Sequence, residues 1–75
     1  MVVNAVMLLN ADYKKLDYIQ KKLEMIREVK LFFACFGRYD VVVFLEAEGY
    51  EKIKNVSSEI SGMYGCLGSE TLIEG

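Results

Sequence analysis

Segments that are apolar on both faces alternate with two stripes of apolar residues at helical spacing, and nothing else in the sequence restricts its fold so tightly. Leu16, Ile19, Leu23 and Ile26 recur at steps of three, four and three, and Ile53, Val56, Ile60 and Met63 repeat those steps. Such spacing draws one apolar stripe along an α-helix. It predicts helices over about Tyr13 to Arg27 and about Tyr50 to Met63. Asp12 precedes the first and suits an N-cap, its side chain accepting an orphan backbone N–H. The capping box is incomplete, because Lys15 stands where Glu or Gln belongs.

Four further segments read as strands: Val2 to Leu9, Val29 to Phe36, Val41 to Glu48 and Cys66 to Ile73. In the second, the period of two predicts Val29, Leu31, Phe33 and Cys35 on one face and Lys30, Phe32, Ala34 and Phe36 on the other. Gly37-Arg38-Tyr39-Asp40 breaks that strand from the third, and Gly49 and Gly65 bracket the second helix. At an offset of 37 the two halves match in pattern with few identities, so they read as two βαβ units rather than a duplicated gene.

Two βαβ units joined by a tight turn predict an α+β, ferredoxin-like βαββαβ arrangement with right-handed crossovers. Both helices then cover one face of a four-stranded antiparallel sheet in the order 4-1-3-2. The other face stays open, yet the strands are apolar on that side too. A monomer would expose a broad sheet of Phe and Val, well beyond an ordinary apolar patch. A second sheet packed face to face hides it. Burying roughly 600 Å² per chain gives on the order of 15 kcal/mol before the entropy of association is subtracted. A sheet-to-sheet dimer is therefore expected.

Composition narrows the function. Seventy-five residues make one domain, and 53% hydrophobic content exceeds what so small a core hides. A net charge of −2 does not attract phosphate backbones. No apolar run reaches the roughly 20 residues of a membrane span. No charged leader opens the chain, so no signal peptide is expected. The chain has no histidine, the commonest general base and metal ligand. Cys35 and Cys66 lie in apolar segments without metal-ligand spacing and read as free thiols of a reducing cytoplasm. On opposite edge strands they sit too far apart for an intrachain bridge.

The segment from Phe36 onward carries a resemblance. Gly37-Arg38-Tyr39-Asp40, followed by Val41-Val42-Val43, resembles the glycine-x-aromatic-aspartate turn of the Lrp/AsnC effector domain, also called the RAM domain. Gly65-Cys66-Leu67-Gly68-Ser69-Glu70-Thr71-Leu72-Ile73 is similar to that family's last strand, and Val29 stands where its second strand opens. Tyr64 replaces the family's usual proline, and Cys66 its common valine. The first strand opens at Val2, leaving no space before it for a helix-turn-helix, so residues 1–75 are expected to be a stand-alone RAM-like ligand-binding and oligomerisation domain, though an excised one would read the same. The resemblance implies dimers assembled into an octamer of four dimers, with an amino-acid effector bound between dimers. It also implies possible co-assembly with a full-length Lrp/AsnC regulator.

Carried over residue by residue, the ligand-binding candidates are Gly37, Tyr39, Asp40, Ser69 and Thr71. Each has a plainer reading. Gly37 supplies the free φ a turn needs, Asp40 can bond its own turn backbone, Tyr39 can pack, and Ser69 and Thr71 can bond neighbouring backbone. Arg38 is a solvated turn residue or pairs with Glu70 or a ligand carboxylate. In one chain the turn and the last strand are expected toward opposite edges of the sheet, so a site joining them needs a second dimer. No catalytic residue, cofactor, direct nucleic-acid contact or membrane segment is expected. The competing reading is a cofactor-free dimeric α+β barrel enzyme, which requires a titratable pocket between sheet and helices.

Overall fold

The both-face apolar segments become strands. In a computed structural model describing residues 1–75, β1 (Val2–Ala11), β2 (Val29–Ala34), β3 (Val41–Glu48) and β4 (Cys66–Ile73) form one sheet in the order β2-β3-β1-β4. Every neighbouring pair is antiparallel. With α1 (Leu16–Glu24) and α2 (Tyr50–Ser61), this is the expected ferredoxin-like α+β arrangement. The two most apolar strands, β1 and β3, take the centre.

The helical stripes point into the sheet. Ile19 and Leu23 of α1 and Ile53, Val56 and Ile60 of α2 are buried against Val3, Ala5, Met7 and Leu9 of β1 and alternate residues of β3 from Val41 to Ala47. Leu16, Ile26 and Met63 close the margin of this core, and no polar or charged residue is buried in it. Each such side chain withdrawn from water contributes about 1.5–3 kcal/mol.

Both ends of the first helix differ from the sequence expectation. Asp12 does accept the Lys14 N–H, at 3.0 Å, but it caps a short 3₁₀ turn, Tyr13–Lys15, from which α1 follows. At the other end the helix tightens. The Met25 and Ile26 N–H groups reach back only three residues, to the Lys22 and Leu23 carbonyls, and a turn through Arg27 and Glu28 leads into β2. Gly65 begins the approach to β4 at φ +92°; a Cβ there would stand 2.5 Å from that of Lys15.

The alternation expected for β2 fails at Lys30. Val29 pairs with Leu45, but the register shifts before Leu31, which pairs with Phe44. This bulge turns Leu31 and Phe33 onto the open face, while Val29 and Phe32 pack against the core. A strand bulge adds one unpaired residue and so reverses the face of all that follow it. The strand also stops at Ala34. Cys35 N–H donates to the Asp40 carbonyl at 2.9 Å, which begins the turn and leaves Phe36 fully exposed.

The face away from the helices is uncovered and apolar at its centre, with Asn4, Glu46 and Glu70 also exposed on it. Leu31 (56%), Phe33 (46%), Phe44 (36%) and Leu72 (54%) remain exposed, flanking the half-buried Val6, Leu8 and Val42. The Phe33 and Phe44 rings lie 6.3 Å apart across β2 and β3.

Candidate functional site

The turn between β2 and β3 closes over the C-terminal end of β1. Its backbone enters the sheet through Asp40 N–H, which donates to the Leu9 carbonyl at 2.8 Å. The Asp40 side chain reinforces this: Oδ2 accepts the Ala11 N–H at 2.8 Å, where the β1–β4 register shifts between Asn10 and Ala11. Gly37 adopts φ +126°, a conformation that favours glycine, and open space surrounds its α-carbon. The Cys35 thiol donates to the Tyr39 carbonyl at 3.2 Å, so both limbs of the turn are tied.

Tyr39 carries the turn to the last strand. Its hydroxyl donates to Glu70 Oε1 at 2.7 Å. The expected separation of turn and last strand is thereby spanned within one chain. Two strand steps of about 4.8 Å separate β3 from β4, a distance that a tyrosine and a glutamate reach together. Donating to Glu70 holds the Tyr39 hydroxyl above its ordinary 10.0; desolvation and the Glu70 charge raise it further, while nearby Arg38 opposes them. Arg38 itself forms no ion pair, so Glu70 is taken by Tyr39 instead.

Ser69 and Thr71 do not join this group. They stand in register with Leu9 and Met7 on the helical side of β4, and the Ser69 hydroxyl lies 2.7 Å from that of Ser61 on α2. Glu70 pairs with Leu8 and takes the open side. Three of the five candidate residues, Gly37, Tyr39 and Asp40, thus share one turn, of which Tyr39 reaches Glu70, and the two hydroxyls lie behind the sheet. The period of two already separated Glu70 from its neighbours; which face each takes depended on the β1–β4 register.

A cleft of about 430 Å³ lies at the far end of the sheet, between the start of β2, the end of β3 and α2. Its walls carry both signs of charge, including the exposed pair Lys30–Glu46 at 3.9 Å and the pair Lys52–Glu28 at 3.8 Å, whose glutamate is half-buried. None of the five candidate residues lines it. No group of three or more Cys, Asp or Glu side chains is placed to hold a metal ion. No helix is long and apolar enough to cross a membrane.

Known structures share this architecture from end to end of the chain. The crystal structure of FFRP-DM1 matches with a TM-score of 0.90 at 24% identity, over 97% of this chain and 99% of that one. E. coli AsnC matches with a TM-score of 0.85 at 20% identity, over 96% of this chain and 50% of its own. The siroheme decarboxylase NirDL matches with a TM-score of 0.84 at 16% identity, over 96% of this chain and 25% of its own. No protein-family model and no curated protein matches the sequence. At these identities the likeness is one of fold, and it defines a ferredoxin-like α+β domain. Proteins of the Lrp/AsnC type are among its structural neighbours, and against AsnC the chain spans about half the length.

Proposed function

We propose that residues 1–75 act as a RAM-like regulatory domain that dimerises through the open face of its sheet and takes a small amino-acid effector between dimers. It works in the cytoplasm, either as an octamer of four such dimers or co-assembled with a full-length Lrp/AsnC-type regulator. The observation that carries this reading is the open face itself. Leu31, Phe33, Phe44 and Leu72 are exposed together around a half-buried centre, and a second sheet is the cover that matches their shape and size. The fold shared with AsnC-type proteins supports the same assignment.

The turn cluster has the chemistry an α-amino acid asks for. Asp40 spends Oδ2 on Ala11, which leaves its other oxygen to accept a ligand ammonium group. The unobstructed Gly37 backbone permits close approach, and the unpaired Arg38 guanidinium suits a ligand carboxylate. Ser69 and Thr71 belong to the site only as donors from a neighbouring dimer, and Ser69 must first leave Ser61. Ligand binding is then coupled to assembly, because the pocket is complete only between dimers.

No catalytic role is proposed. Acid–base chemistry between sheet and helices needs a titratable group there, and every buried residue in that layer is apolar. Light scattering, with and without a panel of amino acids, tests the reading. The expected result is a dimer or a larger even-numbered species whose size distribution responds to at least one amino acid. A monomer at every concentration, indifferent to all of them, contradicts it.

A further inference from the structure

The helical side of the molecule carries an apolar groove that the amino-acid reading does not use. Met25, Ile26 and Met63 line its floor, and the groove encloses about 330 Å³. Met25 is 78% exposed, a large apolar side chain that nothing in the chain covers. Tyr18 and Tyr64 wall one end, meeting edge to face with ring centroids 5.6 Å apart.

The rim is cationic along the first helix, with Glu59 on the opposite lip. Lys15 Nζ lies 5.3 Å from the centroid of the Tyr64 ring, and Lys22 Nζ lies 5.7 Å from that of Tyr18. Aromatic faces hold cations in place without neutralising them. The side-chain ion pairs of the chain belong to Lys21, Lys30 and Lys52, so Lys15 and Lys22 keep unmatched charge. Lys14 adds to the same stretch, in a protein whose net charge is −2.

The geometry points to this groove as a docking site for an acidic amphipathic segment of a partner protein. Its apolar side chains enter between Met25 and Met63, and its carboxylates line up along the lysines of α1. Methionine adapts its shape to irregular apolar surfaces, and tyrosine and methionine are enriched where proteins meet. A nucleic-acid strand suits the site less well, because the floor offers thioether and aliphatic groups and the Tyr64 and Tyr18 rings already hold the Lys15 and Lys22 ammonium groups. A second copy also suits it less well. The chain's own helices each carry both signs of charge and present no acidic stripe.

The test uses methyl-labelled methionine, with Met1 and Met7 as internal controls for Met25 and Met63. The probes are a synthetic amphipathic helix with leucine at i, i+3, i+4 and i+7 and glutamate elsewhere, its lysine counterpart, and an oligothymidylate. The glutamate peptide is expected to move the Met25 and Met63 signals and leave those of Met1 and Met7, while the lysine peptide and the oligonucleotide move none. Lys15→Glu with Lys22→Glu should weaken the glutamate peptide by about tenfold, equivalent to about 1.4 kcal/mol, and admit the lysine peptide. If circular dichroism shows that the double variant is unfolded, Lys22→Glu alone should shift the preference in the same direction. Unmoved Met25 and Met63 signals, equal binding of the two peptides, oligonucleotide binding at the groove, or a folded variant with unchanged preference would each overturn the assignment.

Discussion

The Asp40 carboxylate and the Ala11 N–H lie 2.8 Å apart, and their hydrogen bond pins the β2–β3 turn to the irregular end of β1. Ala11 sits where the β1–β4 register shifts, so Asp40 completes a backbone donor at a break in the ladder. Asp40→Ala is expected to cost about 1–3 kcal/mol, the penalty of a part-buried donor left unmatched. Asp40→Asn retains an acceptor and should recover most of that loss. Urea denaturation of both variants checks this; equal loss in the two would show that the negative charge, not the acceptor, is what the turn needs.

Phe32 and Phe44 are both phenylalanines on adjacent strands, yet they face opposite ways. Phe32→Asp places a carboxylate against the core and should destabilise the fold by about 2–4 kcal/mol. Phe44→Asp should leave the fold standing and separate the proposed sheet dimer. Thermal melts read beside light scattering distinguish the two. A Phe44→Asp protein that stays assembled would remove the open face from the interface.

The Tyr39–Glu70 bond has a defined pH range. The Tyr39 hydroxyl is raised above 10.0 in the folded chain, so folding favours its protonated form. Its contribution is fully present below 10.0 and is lost as pH rises through the higher folded value. The ultraviolet titration of the wild type minus that of Tyr39→Phe should show one phenol with its midpoint above 10.0. A midpoint at or below it would mean that Glu70 does not hold the hydroxyl in solution.

The two thiols should stay apart. Cys35 follows the edge strand β2 and Cys66 begins the edge strand β4, and three strand steps of about 4.8 Å lie between those edges. Burial pushes the Cys66 thiol up, which lowers its thiolate fraction. Alkylation without reductant is expected to modify Cys66 slowly in the folded protein and both thiols after unfolding. A two-dalton deficit and no modification would contradict the strand order.

Much of this molecule is written in its periodicities. The three-four-three stripes of α1 and α2 bury Ile19, Leu23, Ile53, Val56 and Ile60 as their spacing demands, and the long apolar runs of β1 and β3 mark them as central. The side of the sheet taken by β2 was not legible. A single bulge at Lys30 decides it, and no residue there announces a bulge. The turn was legible as a turn from Gly37 and Asp40, but its partners were not. Ala11 and Glu70 lie 29 and 31 residues from the groups they bond, and only the β1–β4 register brings them there. The aromatic-lysine rim of α1 reads in sequence as an ordinary solvated face, since Tyr64 joins it from beyond α2.

Calorimetric titration of the assembled wild-type protein and of Asp40→Asn with single amino acids tests the proposed function most directly. At least one amino acid is expected to bind the wild type, to alter its assembly, and to lose affinity by about 1.5–3 kcal/mol in the folded Asn variant, as when a charged hydrogen bond is removed. Binding that is equally tight with Asp40 replaced, or an assembled wild type that binds no amino acid at all, would contradict it.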